Sequence, residues 1–525
     1  MNDMFQQKQD KANRKLARLQ KEEKAKKRTR VIAISVTTVF MVLLAVSLLV
    51  NSNYIRRTLP VVTVDGVNFT ATEFEYFFNM GYMEYVNFMS QFEGMSGSMP
   101  VSGRPLSTQV YNPETGETWA DMIASMTFDR LVYLTQLYNA AQASGFTLSD
   151  GQIADIDADI ASVSTEAAMY GLRSADSLLQ QMYGSSINLN AYRSILEFVS
   201  IANLYSLHVR DSFEYTTQEL EAHYAENADE LDIINYRSLM VYADIPDAED
   251  YEDDDEYDAV SADAIKEAHE AAAAIAESIG SEDDFIAAAK EFNEFSYSEP
   301  YSTFYMAQGD RLGDDTGPWL LEETRKSGDV TTIDTEQGTY VIFFVSRDNN
   351  EYKTASMRQI LILRGTVDPE EFAEGEEDPG YLEALEQAEI DLGERAELAY
   401  AAFIAGGETE DALIGLIEEY SDDTTEGGYY SQISKYSYQG TYFSSMKVVP
   451  EIEDWLFDES RAVGDSELIY TSDYGYHLIY FTGLGERFSE LIADDIMRTA
   501  DHNAWLESLT AGEPVKRGAF ILVHM

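Results

Sequence analysis

Two stretches of this chain repeat the same succession of residues, and a duplicated unit constrains the fold more than any other feature. Trp319-Leu-Leu-Glu-Glu-Thr-Arg-Lys-Ser-Gly-Asp329 parallels Trp455-Leu-Phe-Asp-Glu-Ser-Arg-Ala-Val-Gly-Asp465. Each leads into a β-rich run, Gly338-Thr-Tyr-Val-Ile-Phe-Phe344 and Gly475-Tyr-His-Leu-Ile-Tyr-Phe481. A helix, a Gly-Asp stop and a closing strand, used twice, predict a duplicated domain. The copies differ where chemistry would sit, because His477 falls opposite Tyr340.

The rest of each copy reads consistently. The first, over 233–348, opens with a strand at Arg237–Tyr242 and continues through an acidic segment, 246–263. That segment lacks the spacing of a calcium-binding EF-hand loop and reads as a solvated insertion. Helical patterns follow at 264–279 and 282–292. The second copy, over 354–483, opens with a strand at Arg358–Leu363 and carries an acidic insertion at 367–381. Helical patterns follow at 382–405, 409–420 and 448–461, and a strand closes it at 476–482. The order β-α-α-α-β gives a small sheet carrying helices, an α+β domain.

Upstream, 60–230 reads as mainly helical with a short β entry. A hairpin turns at Asp65-Gly66. Thr70-Ala-Thr-Glu73 opens a helix as a capping box, Phe74, Phe77 and Phe78 follow at helical spacing, and Thr216-Thr-Gln-Glu219 opens another. Residues 92–117, rich in Gly, Ser, Pro and Met, read as a loop. Residues 484–525 read as a helical tail.

Val31–Val50 is an uncharged apolar run of the roughly 20 residues that cross a bilayer, preceded by Lys24, Lys26, Lys27, Arg28 and Arg30. These features predict a single transmembrane helix over 31–50, with 1–30 as a basic cytoplasmic segment and the bulk of the chain outside the cytoplasm. The run exceeds a signal-peptide core and no A-x-A cleavage site follows it. Charge excludes some partners. The chain has 94 acidic and 36 basic side chains, a net of −58. Such a body repels nucleic-acid phosphates. With no cysteine and six scattered histidines, thiol chemistry is excluded and no metal site or cofactor is expected.

The second copy resembles a parvulin-type (PpiC) peptidyl-prolyl isomerase domain. The likeness lies in Arg358-Gln-Ile-Leu-Ile-Leu363, Ser421-Asp-Asp423 followed by Gly427-Gly428, the Pro450–Phe457 segment, Val463-Gly-Asp465 and Gly475–Phe481. The first copy resembles a degenerate version, with Ser238 and Tyr340 where the family places histidines and Phe295–Pro300 where its Ser-x-Asp would lie. Residues 60–230 resemble the chaperone part of PrsA and SurA foldases, through Val62–Asn79 and Thr216–Asn227. The resemblance implies a membrane-anchored extracytoplasmic foldase that binds unfolded or partly folded exported polypeptides and isomerises X-Pro bonds.

It also implies a site. His477 matches the family's C-terminal histidine, Asp423 its acidic or thiol position, and Gln359 the position of its first histidine. Val448 and Ile452 match the proline pocket, and Tyr430 the residue after the Gly-Gly pair. A glutamine cannot titrate near neutral pH as a histidine does, so the departure at 359 bears directly on activity. The alternative is a non-catalytic holdase or scaffold whose repeats only bind peptide. An accessory role in a cell-envelope complex is a third reading, which no residue selects.

Overall fold

The computed structural model of the chain describes residues 2–51, 53–91, 99–247, 251, 253–292, 304–372, 375–437, 447–510, 512 and 514–517. They form two compact units, one of residues 1–213 with 500–525 and one of 214–499. Helices and antiparallel sheets occupy separate stretches, so the chain is α+β.

The first unit begins with a continuous helix, α1 (Asn2–Asn51), which runs through the basic and the apolar segments alike. Here the expected fold is corrected. Among the described residues no helix is long and apolar enough to cross a membrane, so the single transmembrane helix at 31–50 is not supported.

A short helix α2 (Tyr54–Thr58) precedes the hairpin of β1 (Pro60–Val64) and β2 (Val67–Thr70). Its turn holds Asp65 at φ 43° and Gly66 at φ 85°, which a two-residue hairpin loop demands. Helix α3 (Ala71–Ser90) starts at a complete Thr70/Glu73 capping box. A small ribbon, β3 (Val110–Asn112) with β4 (Glu117–Thr118), occupies part of the stretch expected as loop. Then come α4 (Trp119–Ser144), α5 (Asp150–Met169), α6 (Ala175–Tyr183) and α7 (Leu189–Asp211). On α4, Ile123, Thr127, Leu131, Leu134 and Ala141 repeat at helical spacing and are buried. Burying each large aliphatic side chain there contributes about 1.5–3 kcal/mol. Trp505, Leu506 and Leu509 pack on the same core from the far end of the chain.

The second unit opens with α8 (Thr217–Glu226) and α9 (Ala228–Leu231). These residues, expected to close the helical region, belong instead with the repeats. Leu220, Tyr224 and Leu231 form a core with Phe488 and Ile492. The first repeat comprises β5 (Ile233–Tyr242), α10 (Asp254–Ser278), α11 (Glu282–Phe292), β6 (Phe304–Gln308), α12 (Gly317–Leu320), β7 (Val330–Thr335) and β8 (Gly338–Asp348). The second comprises β9 (Lys353–Leu363), α13 (Pro379–Ala405), α14 (Glu410–Tyr420), β10 (Tyr429–Ile433), α15 (Pro450–Leu456), β11 (Ser466–Thr471) and β12 (Gly475–Arg487). The last helix, α16 (Phe488–Ser508), ends before a short strand, β13 (Val515–Lys516), that pairs with β1. The tail is therefore not wholly helical.

The sheets have the same order, β6-β5-β8-β7 and β10-β9-β12-β11, and every pairing is antiparallel. The helix expected after each tryptophan is short. Both α12 and α15 end within two residues of it and give way to a turn. Much of the acidic segment 253–263 lies on α10, where Asp and Glu on an exposed face cost little. Phe295–Pro300 lies outside the described residues.

Candidate functional site

The sheet of the second repeat has two faces because side chains alternate along a strand. Ile360, Ile362 and Leu478 point to one face and pack on α13 and α14. Met357, Ile479 and Phe481 point to the other and pack with Ile452 and Trp455 of α15. Gln359, Leu361 and His477 continue that second face beyond its core. His477 lies directly across from Leu361 on β9 and Ile469 on β11, and Gln359 lies across from Ile479. Diagonal neighbours on one face are within side-chain reach, which brings Gln359 to His477.

A chain of hydrogen bonds follows. The Asp423 Oδ2 accepts from Gln359 Nε2 at 3.0 Å and from the Tyr430 hydroxyl at 2.7 Å. Its Oδ1 accepts from the Thr425 backbone N–H at 2.9 Å. Gln359 Oε1 lies 3.1 Å from His477 Nδ1, and His477 Nε2 lies 3.1 Å from Thr471 Oγ1. A carboxylate only accepts, so Asp423 fixes the glutamine amide with its NH2 inward and its oxygen toward the imidazole. His477 must then carry its proton on Nδ1, and Nε2 accepts from Thr471.

Electrostatics agree with that tautomer. His477 is 4% exposed. Burial lowers its pKa to about 4 against a weaker upward pull from Asp423, so the imidazole is neutral at ordinary pH. Partial burial pushes the Asp423 carboxyl up, but hydrogen bonds from Tyr430, Thr425 and Gln359 outweigh it and hold it below the usual carboxylate range. Burial raises the Tyr430 phenol.

Gln359, His477 and Tyr430 form one wall of a cavity of about 340 Å³. Val448, Val449, Ile452 and Leu361 form an apolar wall, and Lys447 and Tyr474 complete the lining. The Tyr474 ring stands edge-on to His477 at 6.2 Å. Of the residues singled out from sequence, Gln359, His477, Tyr430, Val448 and Ile452 line this one cavity. Asp423 is hydrogen-bonded to two of them. The reading of the sequence missed Leu361, Lys447, Val449, Thr471 and Tyr474. For Thr471 a signal existed, since Thr335 holds the corresponding place before the closing strand of the first repeat.

The apolar wall is anchored by Glu453 on α15. Its carboxylate accepts from the backbone N–H of Tyr436 at 2.6 Å and of Ser437 at 3.0 Å. Ser437 Oγ in turn accepts from the Val448 backbone N–H at 3.2 Å.

The first repeat places Tyr340 where the second has His477, across from Met240 on β5 and Ile333 on β7. Ser238 stands in the position of Gln359, two residues back along the same strand. Its cavity is larger, about 780 Å³, and is lined by Met240, Ile265 and Tyr340 together with Asp315, Asp334 and Glu336. No relay like that of the second repeat joins Ser238 to Tyr340 among the described residues. Nor, among those residues, does any group of three or more His, Asp or Glu side chains form a metal-holding cluster. No protein-family model matches this chain, and no curated protein matches it.

Proposed function

We propose that this protein is a parvulin-type peptidyl-prolyl cis-trans isomerase, a foldase that acts outside the cytoplasm on unfolded or partly folded exported polypeptides. The second repeat carries the reaction and the first holds peptide without catalysing. The observation that supports this reading is the 340 Å³ cavity, in which an apolar wall faces the Asp423–Gln359–His477–Thr471 relay.

The reaction asks little of a protein. Rotating an X-Pro bond must overcome about 18–20 kcal/mol of amide resonance, and no covalent intermediate is needed. The planar amide is the more polar form, because resonance moves charge from nitrogen to oxygen. The apolar wall of the cavity therefore disfavours the planar amide relative to the twisted one. Val448, Ile452 and Leu361 offer that surface to a proline ring. Both Asp423 oxygens are occupied by hydrogen bonds, so its part is to orient Gln359 and, through it, His477. A neutral imidazole at the cavity wall adds no charge that would favour the planar dipole.

The test is cis/trans exchange in a proline peptide with the full chain, wild type beside His477→Ala. Acceleration over the uncatalysed rate, lost about tenfold or more in the variant, is the expected outcome. A folded wild type that binds peptide without accelerating exchange moves the function to the holdase reading. One feature favours that second reading: Gln359, 5% exposed at the centre of the relay, is a group that does not titrate.

A further inference from the structure

The charge of the second-repeat cavity differs in sign from the charge of the protein. Asp423 stands behind Gln359 and Tyr430, outside the lining, with both oxygens bonded. His477 is neutral above a pKa of about 4. Lys447 is then the one formal charge among the described residues that line the cavity. It is exposed, and it forms no ion pair among the described residues. The residues before it, 438–446, include no Asp or Glu in their sequence.

The corresponding cavity of the first repeat is the reverse. Asp315, Asp334 and Glu336 line it, and no Lys or Arg does. The two cavities differ in sign as well as in shape.

We infer that Lys447 makes the second-repeat cavity selective for proline segments bearing an acidic side chain next to the proline. With the ring against Val448 and Ile452, the neighbouring residue of an extended segment lies within reach of the rim, where Lys447 offers a cation. An acidic side chain gains an ion pair there. A basic one meets like charge. The pair is partly exposed, so the effect is modest and salt-sensitive. The substrate class is thus acidic-residue–proline segments. This inference rests on the peptide-binding reading of the same cavity.

The experiment uses the full chain at about 0.15 M salt and three peptides that differ only in Glu, Ala or Lys before proline. Binding and cis/trans exchange are measured for wild type, Lys447→Met and Lys447→Glu. The expected order for wild type is Glu, then Ala, then Lys, with roughly fivefold between steps, since an exposed ion pair contributes up to about 1 kcal/mol. Lys447→Met levels the three, and Lys447→Glu inverts the order. If wild type binds all three alike, or if Lys447→Glu keeps the wild-type order, the selectivity does not come from Lys447 and the inference fails while the peptide-binding reading stands. If wild type binds none of the three, the peptide-binding reading fails and the inference with it. Because Lys447 is exposed, both variants leave the core untouched.

Discussion

At one register position the first repeat holds Tyr340, beside the acidic rim of an open cavity. At the same position the second holds His477, nearly buried, neutral and tied through Gln359 to Asp423. Around these positions the repeats share several contacts. Arg325 lies over the Trp319 ring at 3.8 Å and Arg461 over Trp455 at 3.7 Å. Each arginine Nε donates to the carbonyl of its tryptophan, at 3.1 and 3.0 Å. Arg237 pairs with Glu282 at the start of α11, and Arg358 with Glu410 at the start of α14, at 2.7 and 2.6 Å. Gly328 and Gly464, at φ 92° and 100°, donate to Phe344 and Phe481 by the same turn. The difference teaches that the scaffold and the cavity are separable. A few side chains on one sheet face decide whether the shared frame encloses a polar relay or an acidic opening.

The strongest way to break this comparison is at the frame itself. Gly338 and Gly475 open the closing strands at φ 141° and 128°. A Cβ on Gly338 would lie 2.1 Å from the Val241 carbonyl oxygen, and one on Gly475 would lie 2.4 Å from that of Ile362. Both the conformation and the contact exclude a side chain. Gly338→Ala and Gly475→Ala should each cost about 3 kcal/mol or more, by like amounts, in urea unfolding followed by tryptophan fluorescence. A loss confined to one repeat would show that the frames are not equivalent.

That frame was readable in the sequence because its determinants are local. The Trp-to-Asp spacing, the turn glycine and the closing strand all lie within one short stretch of each copy. The capping boxes at Thr70 and Thr216 are equally local, and both stand at the helix starts expected of them. The lengths of α12 and α15 were not readable, because the Trp-to-Asp pattern runs on without a break where the chain leaves the helix, at Leu321 and Phe457. The fate of 214–231 and of 515–516 was not readable either, since their partners lie hundreds of residues away along the chain. At the site, Gln359 and Asp423 came from resemblance alone, whereas His477 also stood out in the comparison of the two copies. Thr471 had its counterpart Thr335 in the first repeat as a signal, whereas Lys447 lacks any local pattern and is found only where the chain folds back. The apolar run at 31–50 shows the limit of composition, which names a length but not a crossing.

A second test sharpens the difference between the cavities. Burial lowers the folded pKa of His477 to about 4, against roughly 6.5 in an unfolded chain. Between those values the unfolded chain binds more protons, so the stability from the neutral histidine is complete above about pH 6.5 and falls as the pH drops toward 4. The full difference is on the order of 3 kcal/mol. Glu453 and Asp232, whose pKa values burial raises, tilt the profile the other way as the pH falls, so the informative quantity is wild type minus His477→Gln. That difference should shrink as the pH falls through the window. The first repeat offers no counterpart, since no histidine occupies position 340. A difference that stays flat from pH 7 to 4 would mean that His477 is hydrated and the relay open.

The smallest effect separates the two tryptophan turns. Arg325→Lys and Arg461→Lys each keep the charge but lose the planar stack and the directed Nε donor, a loss of about 1 kcal/mol where the ring has no other anchor. Trp455 has one: its indole Nε1 donates to Glu467 Oε2 on β11 at 2.5 Å. Trp319 has no such acceptor among the described residues. With its ring held from the far side, Trp455 stays in place when the arginine is shortened, and the lysine ammonium still meets its face. Arg461→Lys should therefore cost about half as much as Arg325→Lys in paired denaturation curves. Adding Glu467→Gln weakens the indole's acceptor from a carboxylate to an amide and should bring the second turn up to the cost of the first. Equal costs in the single variants would instead make the stacked arginine, and not the indole's bond, the element that fixes both turns.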